Sequence, residues 1–148
     1  MNAQIDPAAL LHAIGDALVV SDVAGNVIVW NAGAERLFGW SAQEALSQSM
    51  EMIIPERLRK RHWEGFDKSM QTGQTKYAHD LLRVPAVDKA GRAMSIAFTV
   101  FMLFGPDGKP TACGSVIRDE TDRFAQDRAQ RKRIADLEAQ LAAGTPAS

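Results

Sequence analysis

Apolar residues along this chain alternate between helical spacing and short β-branched runs, and the switches between the two predict the elements. Asp6-Pro7 precede Ala8-Ala9-Leu10-Leu11-His12-Ala13-Ile14, an N-cap acceptor and a first-turn proline leading apolar residues at helical spacing. That pattern predicts a short helix within an N-terminal cap of residues 1–15. Ala17-Leu18-Val19-Val20 and Val27-Ile28-Val29-Trp30 are strand-like runs joined through Asp22-Val23-Ala24-Gly25-Asn26, whose Gly and Asn suit the positive-φ positions of a hairpin. Asn31 to Gly39 begins on a capping side chain and stops at a glycine, and Ser41 to Leu46 opens with the capping box Ser41–Glu44, so two short helices follow. Pro55 to Met70 carries the longest helical pattern of the body. Steps of four from Ile54 through Leu58, His62, Phe66 and Met70 trace one inward stripe, with Lys60, Arg61, Glu64 and Lys68 turned away.

Three strand-like segments then follow, Tyr77 to Val84, Ser95 to Phe104 and Thr111 to Arg118, connected by Asp88-Lys89-Ala90-Gly91 and Gly105-Pro106-Asp107-Gly108. Strands, a block of helices, then strands again predict an α+β domain with one antiparallel sheet over residues 16–120. From Thr121 the composition shifts to Arg, Gln, Asp, Glu and Ala. Phe124, Ile134, Leu137 and Leu141 are its apolar positions, and the last three follow three-then-four spacing. Residues 121–143 therefore read as an outgoing coiled-coil helix able to pair with a copy of itself, and 144–148 as a disordered tail.

Composition narrows the classes of function. The 148 residues are 46% hydrophobic, ordinary for one globular core, and 17 Lys plus Arg against 18 Asp plus Glu leave a net charge of −1. No global charge calls for nucleic acid or an anionic membrane, and the basic runs around Arg57–Arg61 and Arg128–Arg133 are interleaved with or followed by acids, as on a solvated face. The apolar run Ser95 to Phe104 is about half what a membrane-spanning helix needs, and the N-terminus lacks a secretory pattern. The expected location is the cytoplasm. A single cysteine, Cys113, excludes an internal disulfide and a cysteine-based zinc site. No nucleophile-elbow spacing or phosphate-cradling glycine loop is present, so the chain does not read as an enzyme.

Asp16-Ala17-Leu18-Val19-Val20-Ser21-Asp22 through Gly25 to Asn31, then Ala34-Glu35-Arg36-Leu37-Phe38-Gly39-Trp40, resembles the opening block of bacterial PAS domains. Gly114-Ser115-Val116-Ile117-Arg118-Asp119-Glu120-Thr121 is similar to their closing strand and junction, and the likeness spans roughly residues 10 to 122. The resemblance implies a five-stranded antiparallel sheet whose inner face and adjacent helices enclose a pocket. It also implies helical extensions that mediate a homodimer. Asp119 and Thr121 would fix the sheet edge to the outgoing helix, which leads to no effector in this sequence. A partner chain, such as a separate kinase or transcription regulator, or a dimer interface is expected to carry the output.

The same resemblance bears on the pocket. Arg57-Leu58-Arg59-Lys60-Arg61-His62-Trp63 is similar to the stretch of oxygen-sensing haem PAS kinases that ends in the iron-ligating histidine, so His62 is the expected ligand of haem b. Leu58, Gly65 and Phe66 would line the same side, Gly65 leaving room for a flat macrocycle, with Phe98 and Val100 across from them. His79 lies near a second-ligand position in some haem relatives. Leu82 departs from the gas-sensing pattern, which places there an arginine that hydrogen-bonds bound ligand. Light-sensing flavin relatives need a cysteine on a helix, whereas Cys113 is on the last strand, so only non-covalent FAD remains, stacked on Trp40, Trp63 or a phenylalanine. The remaining alternative is a cofactor-free interaction module closed by its own side chains.

Overall fold

The computed structural model describes residues 4–75 and 78–144. Helix α1 (Pro7–Ala13) is followed by strands β1 (Ala17–Asp22) and β2 (Val27–Trp30), then by α2 (Ala32–Phe38) and α3 (Ala42–Ala45). Two 3-10 helices, Met50–Ile53 and Glu56–Leu58, lead into α4 (Arg59–Thr72). Strands β3 (Leu82–Val87), β4 (Ala93–Phe104) and β5 (Pro110–Asp119) complete the body, and α5 (Thr121–Ala143) leaves it. The five strands form one antiparallel sheet in the order β2-β1-β5-β4-β3. This is the expected α+β architecture. Among the described residues no helix is long and apolar enough to cross a membrane.

Local chemistry accounts for most element boundaries. Asp6 accepts from the Ala8 amide, Asn31 from Ala34 and Ser41 from Glu44, whose carboxylate returns a bond to the Ser41 amide. Gly39 and Gly73 end α2 and α4 in the left-handed region at φ +80° and +70°, where a Cβ is disfavoured. Two boundaries move. The helix expected from Pro55 begins as the 3-10 turn Glu56–Leu58 before becoming α4. The strand expected over Tyr77–Val84 is instead β3, Leu82–Val87, which continues through Pro85; Tyr77 and residues 145–148 lie outside the described residues. An edge strand accepts a proline that a central strand would not, because one side of its backbone pairs with nothing.

Strand alternation divides the core by face. Ala17 and Val19 of β1, Ala86 of β3, Met94 and Ile96 of β4 and Ile117 of β5 pack inward with Ala34, Phe38, Ala45 and Ile53 from the helical layer. Leu18, Val20 and Ala112 pack on the other face with Leu11 of α1, Val29 and Phe101. Phe101 lies over its cross-strand neighbour Gly114 so closely that a Cβ there would fall 2.1 Å from the ring.

Candidate functional site

Helix α4 carries the candidate site because its apolar stripe points inward. Phe66 is buried, Leu58, His62 and Met70 are half-buried, and Lys60, Arg61, Glu64 and Lys68 are exposed, as the four-residue stepping predicts. The His62 ring lies edge-on to Trp63 with centroids 4.8 Å apart and stacks on Phe66 at 6.2 Å. Its Nδ1 is buried and has no hydrogen-bond partner among the described residues. A buried polar atom left unpaired costs about 1–3 kcal/mol, so something absent from the described chain, a ligand or a water, is the natural partner of this atom. Burial pushes the His62 pKa below 6.5, while the carboxylates of Glu51 and Asp67 pull it back up. At neutral pH the imidazole is uncharged and a competent electron-pair donor.

This depressed value has a consequence for stability. In the unfolded chain His62 takes up its proton near 6.5, and in the folded chain only at lower pH. Between those values the unfolded state binds more protons, so stability is full above 6.5 and falls as the pH drops through that window. Urea unfolding at pH 7 and pH 5 should show a loss at pH 5 that is smaller in His62→Gln. An identical loss in both proteins would refute this origin.

The other expected pocket residues divide into groups. Leu82 and Phe98 are cross-strand partners on β3 and β4, both half-buried, and Phe98 packs against the inner core. Val100, also half-buried, pairs with Ser115 of β5. Gly65 is exposed, and nothing lies within 4 Å of where its Cβ would be, so the room it leaves opens to the surface of α4. His79 is exposed in the bend before β3. Cys113 is half-buried on β5, where burial pushes its thiol pKa up and disfavours a reactive thiolate. Among the described residues no three or more His, Cys, Asp or Glu side chains are grouped to hold a metal ion.

Three arrangements join parts of the chain that are far apart in sequence or leave a buried donor unpaired. Trp63 lies on the β1–β2 turn at Gly25 and donates from Nε1 to Glu51 Oε1 at 3.0 Å. Asn31 is fully buried and bonds to four backbone groups from three parts of the chain. Trp40 Nε1 is a second buried donor without a partner among the described residues. Concavities of the described surface include one between β3–β4 and the start of α5 around Pro85, Ser95 and Phe124, and another around Asp16, Gly33 and Arg118. Neither includes His62 in its lining.

The junction between sheet and α5 is held by a compact set of bonds. Asp119 Oδ1 accepts from both the amide and the hydroxyl of Thr121, while Thr121 Oγ1 accepts from the Ser95 amide at 3.1 Å. The Glu120 amide donates to the Ser95 carbonyl at 2.8 Å, so two consecutive residues pin the helix start to β4. One strand residue earlier, Arg118 reaches back to Asp16 through a two-pronged ion pair, Nε–Oδ1 3.3 Å and Nη2–Oδ2 3.1 Å. The pair closes the segment entering β1 onto the segment leaving β5. No residue of α5 is buried, and Phe124, Ile134, Leu137 and Leu141 are exposed at 50%, 54%, 48% and 75%. Phe124 borders the concavity against β3 and β4 and carries the Arg128 guanidinium over its ring at 5.9 Å, whereas Ile134, Leu137 and Leu141 lie further along the helix.

Comparison with known proteins matches residues 5–119 to the family model described as the PAS fold. A stretch of 53 residues, 36% of this chain and 10% of the relative, is 45% identical to the sensor protein FixL of Bradyrhizobium diazoefficiens. The parts of two curated relatives that match this chain make up only 10% and 16% of those proteins. Among solved structures, the PAS domain of a Colwellia psychrerythraea protein superposes with a TM-score of 0.68 at 22% identity, covering 78% of this chain and 94% of that one. An RNA-binding light-oxygen-voltage receptor superposes with a TM-score of 0.65 at 20% identity over 95% of this chain and 41% of the receptor. At these identities the structural likenesses speak for the fold alone.

Proposed function

The chain belongs to the PAS family of sensory domains, and from that premise we propose that it is a signalling module holding haem b through His62 on the buried stripe of α4. The observation that carries this reading is the buried, unpartnered Nδ1 of an uncharged inward imidazole. Phe66 stacks on the imidazole, and the apolar strand residues Leu82, Phe98 and Val100 would supply the opposite wall for a porphyrin. Bound haem would supply a centre for a diatomic gas or a change of redox state. The chain's own part is to present a neutral nitrogen donor, to keep it desolvated, and to relay a change of shape. Leu82 offers no hydrogen-bond donor to a polar gas ligand, so discrimination among gases rests on shape and apolarity.

The relay would run through β4 and β5 to the Asp119–Thr121 junction and α5. There Phe124, Ile134, Leu137 and Leu141 are available to a second copy or to a separate effector such as a kinase or transcription regulator. The reading is of a cytoplasmic binding and relay protein, without a catalytic step and without nucleic acid or membrane as partners. A cofactor-free interaction module is the second reading, favoured by the packing of Phe98 and Val84 onto the inner core.

Addition of hemin to the purified protein is expected to give a sharp Soret band that His62→Ala removes. Persistence of the band in that variant assigns the iron to another ligand, and a six-coordinate spectrum lost only in His79→Ala would bring His79 into the site. A free-hemin spectrum in the wild type favours the cofactor-free module. A yellow protein with a flavin spectrum replaces haem by non-covalent FAD.

A further inference from the structure

The indole of Trp63 sits where three separate parts of the chain meet. Gly25, in the β1–β2 turn at φ +86°, lies so close beneath it that a Cβ there would fall 2.4 Å from Cη2 and Cζ3. The indole N–H is held by Glu51 of the 3-10 helix Met50–Ile53, and that helix is itself tied to the turn by the Met50 amide donating to the Gly25 carbonyl at 3.0 Å. On its other side the ring meets Phe66 at 5.4 Å and 90°, and His62 edge-on. A large aromatic held at its N–H and packed against the turn and two other rings has little freedom, and so the imidazole of the preceding residue has little either.

We propose that Trp63 is the positioning residue of the His62 site, fixing the imidazole from one side and coupling it to the β1–β2 turn from the other. The inference rests on the reading of His62 as the ligand-contacting group and adds a second route for the signal, through the hairpin rather than through the junction at Thr121. A displacement of α4 on ligand binding would drag Trp63 across Gly25, whose missing side chain is what allows the contact. The charged groups acting on His62 are Glu51, from the 3-10 helix, and Asp67, from α4 itself, and Trp63 holds the first of these in place.

The test uses the full chain and measures the His62 ring titration by NMR, with hemin affinity followed in parallel. In Trp63→Ala the His62 pKa should move back toward 6.5, because the ring that excludes water is gone. Hemin affinity should fall by about 10- to 100-fold, the usual effect of removing a group that orients a ligand. Backbone amides of residues 22–27 should shift on hemin addition in the wild type and stay still in Trp63→Ala. Trp63→Phe, which keeps a ring on the turn but loses the N–H, should fall between the two, and it carries the same test if Trp63→Ala does not fold. An unchanged His62 titration in the folded variant overturns the proposal even if its melting temperature drops. A wild type that does not bind hemin removes the haem reading alone, since the apo titration still decides whether Trp63 positions His62.

Discussion

Asn31→Ala is expected to be among the most destabilising substitutions in the chain, costing about 3–4 kcal/mol and lowering the melting temperature by roughly 10 °C. The side chain is fully buried, and each of its polar atoms is used twice. Oδ1 accepts from the Leu18 amide at 2.8 Å and from the Ala34 amide at 2.9 Å, so it caps α2 and also anchors β1. Nδ2 donates to the carbonyls of Leu11, at 2.8 Å, and Asp16, at 3.1 Å, closing the N-terminal cap onto the sheet. Alanine leaves two amides and two carbonyls to find other partners where little water reaches. Capping alone accounts for about 1 kcal/mol, and the unpaired groups supply the rest. Asn31→Asp keeps both acceptor contacts and loses both donors, so comparing the two variants by urea unfolding separates the helix-cap half from the closure half. A cost under about 1 kcal/mol for Asn31→Ala would mean that water or carbonyl rearrangement replaces the side chain.

The case of Asn31 shows what a linear pattern can and cannot reveal. Its capping half is local, three residues from the amide it caps, and is readable as an Asn before an apolar helix. Its closure half joins groups 15 and 20 residues away, which no short-range rule sees. The inward direction of His62 was legible because helical stepping is a local property of α4. What surrounds the ring was not, since Glu51 comes from another element and the Trp63–Gly25 contact depends on how the hairpin turn docks. The β3 boundary was misplaced for a related reason: Pro85 reads as a strand end unless the strand is known to be at an edge, and edge position is a fact of the whole sheet. The four apolar residues of α5 are legible in the sequence as positions outside the core, and they are exposed in the fold.

Gly33 and Gly65 are both helical glycines, and alanine should act on them in opposite directions. In an exposed helix the change gains about 1 kcal/mol through backbone entropy, and Gly65 meets that condition, with nothing within 4 Å of its Cβ position. Gly33 does not. A Cβ there would sit 2.3 Å from the carbonyl oxygen of Asp16 and 2.7 Å from its carbonyl carbon, and these are backbone atoms that no rotamer change can clear. To make room, α2 would have to lift off the start of β1, stretching the Asn31 bonds to Leu18 and Asp16 and disturbing the Arg118–Asp16 pair. Overpacking of this kind costs about 1–3 kcal/mol, and here it falls on the fully buried, four-bonded Asn31, so Gly33→Ala should lie at the upper end. Thermal melts of both variants check the signs, and a stabilised Gly33→Ala would show that α2 is not seated on β1 this closely. Gly65→Ala carries a second readout: because its methyl would point to solvent, hemin binding should be unchanged, whereas a lost Soret band would mean that Gly65 cradles the macrocycle after all.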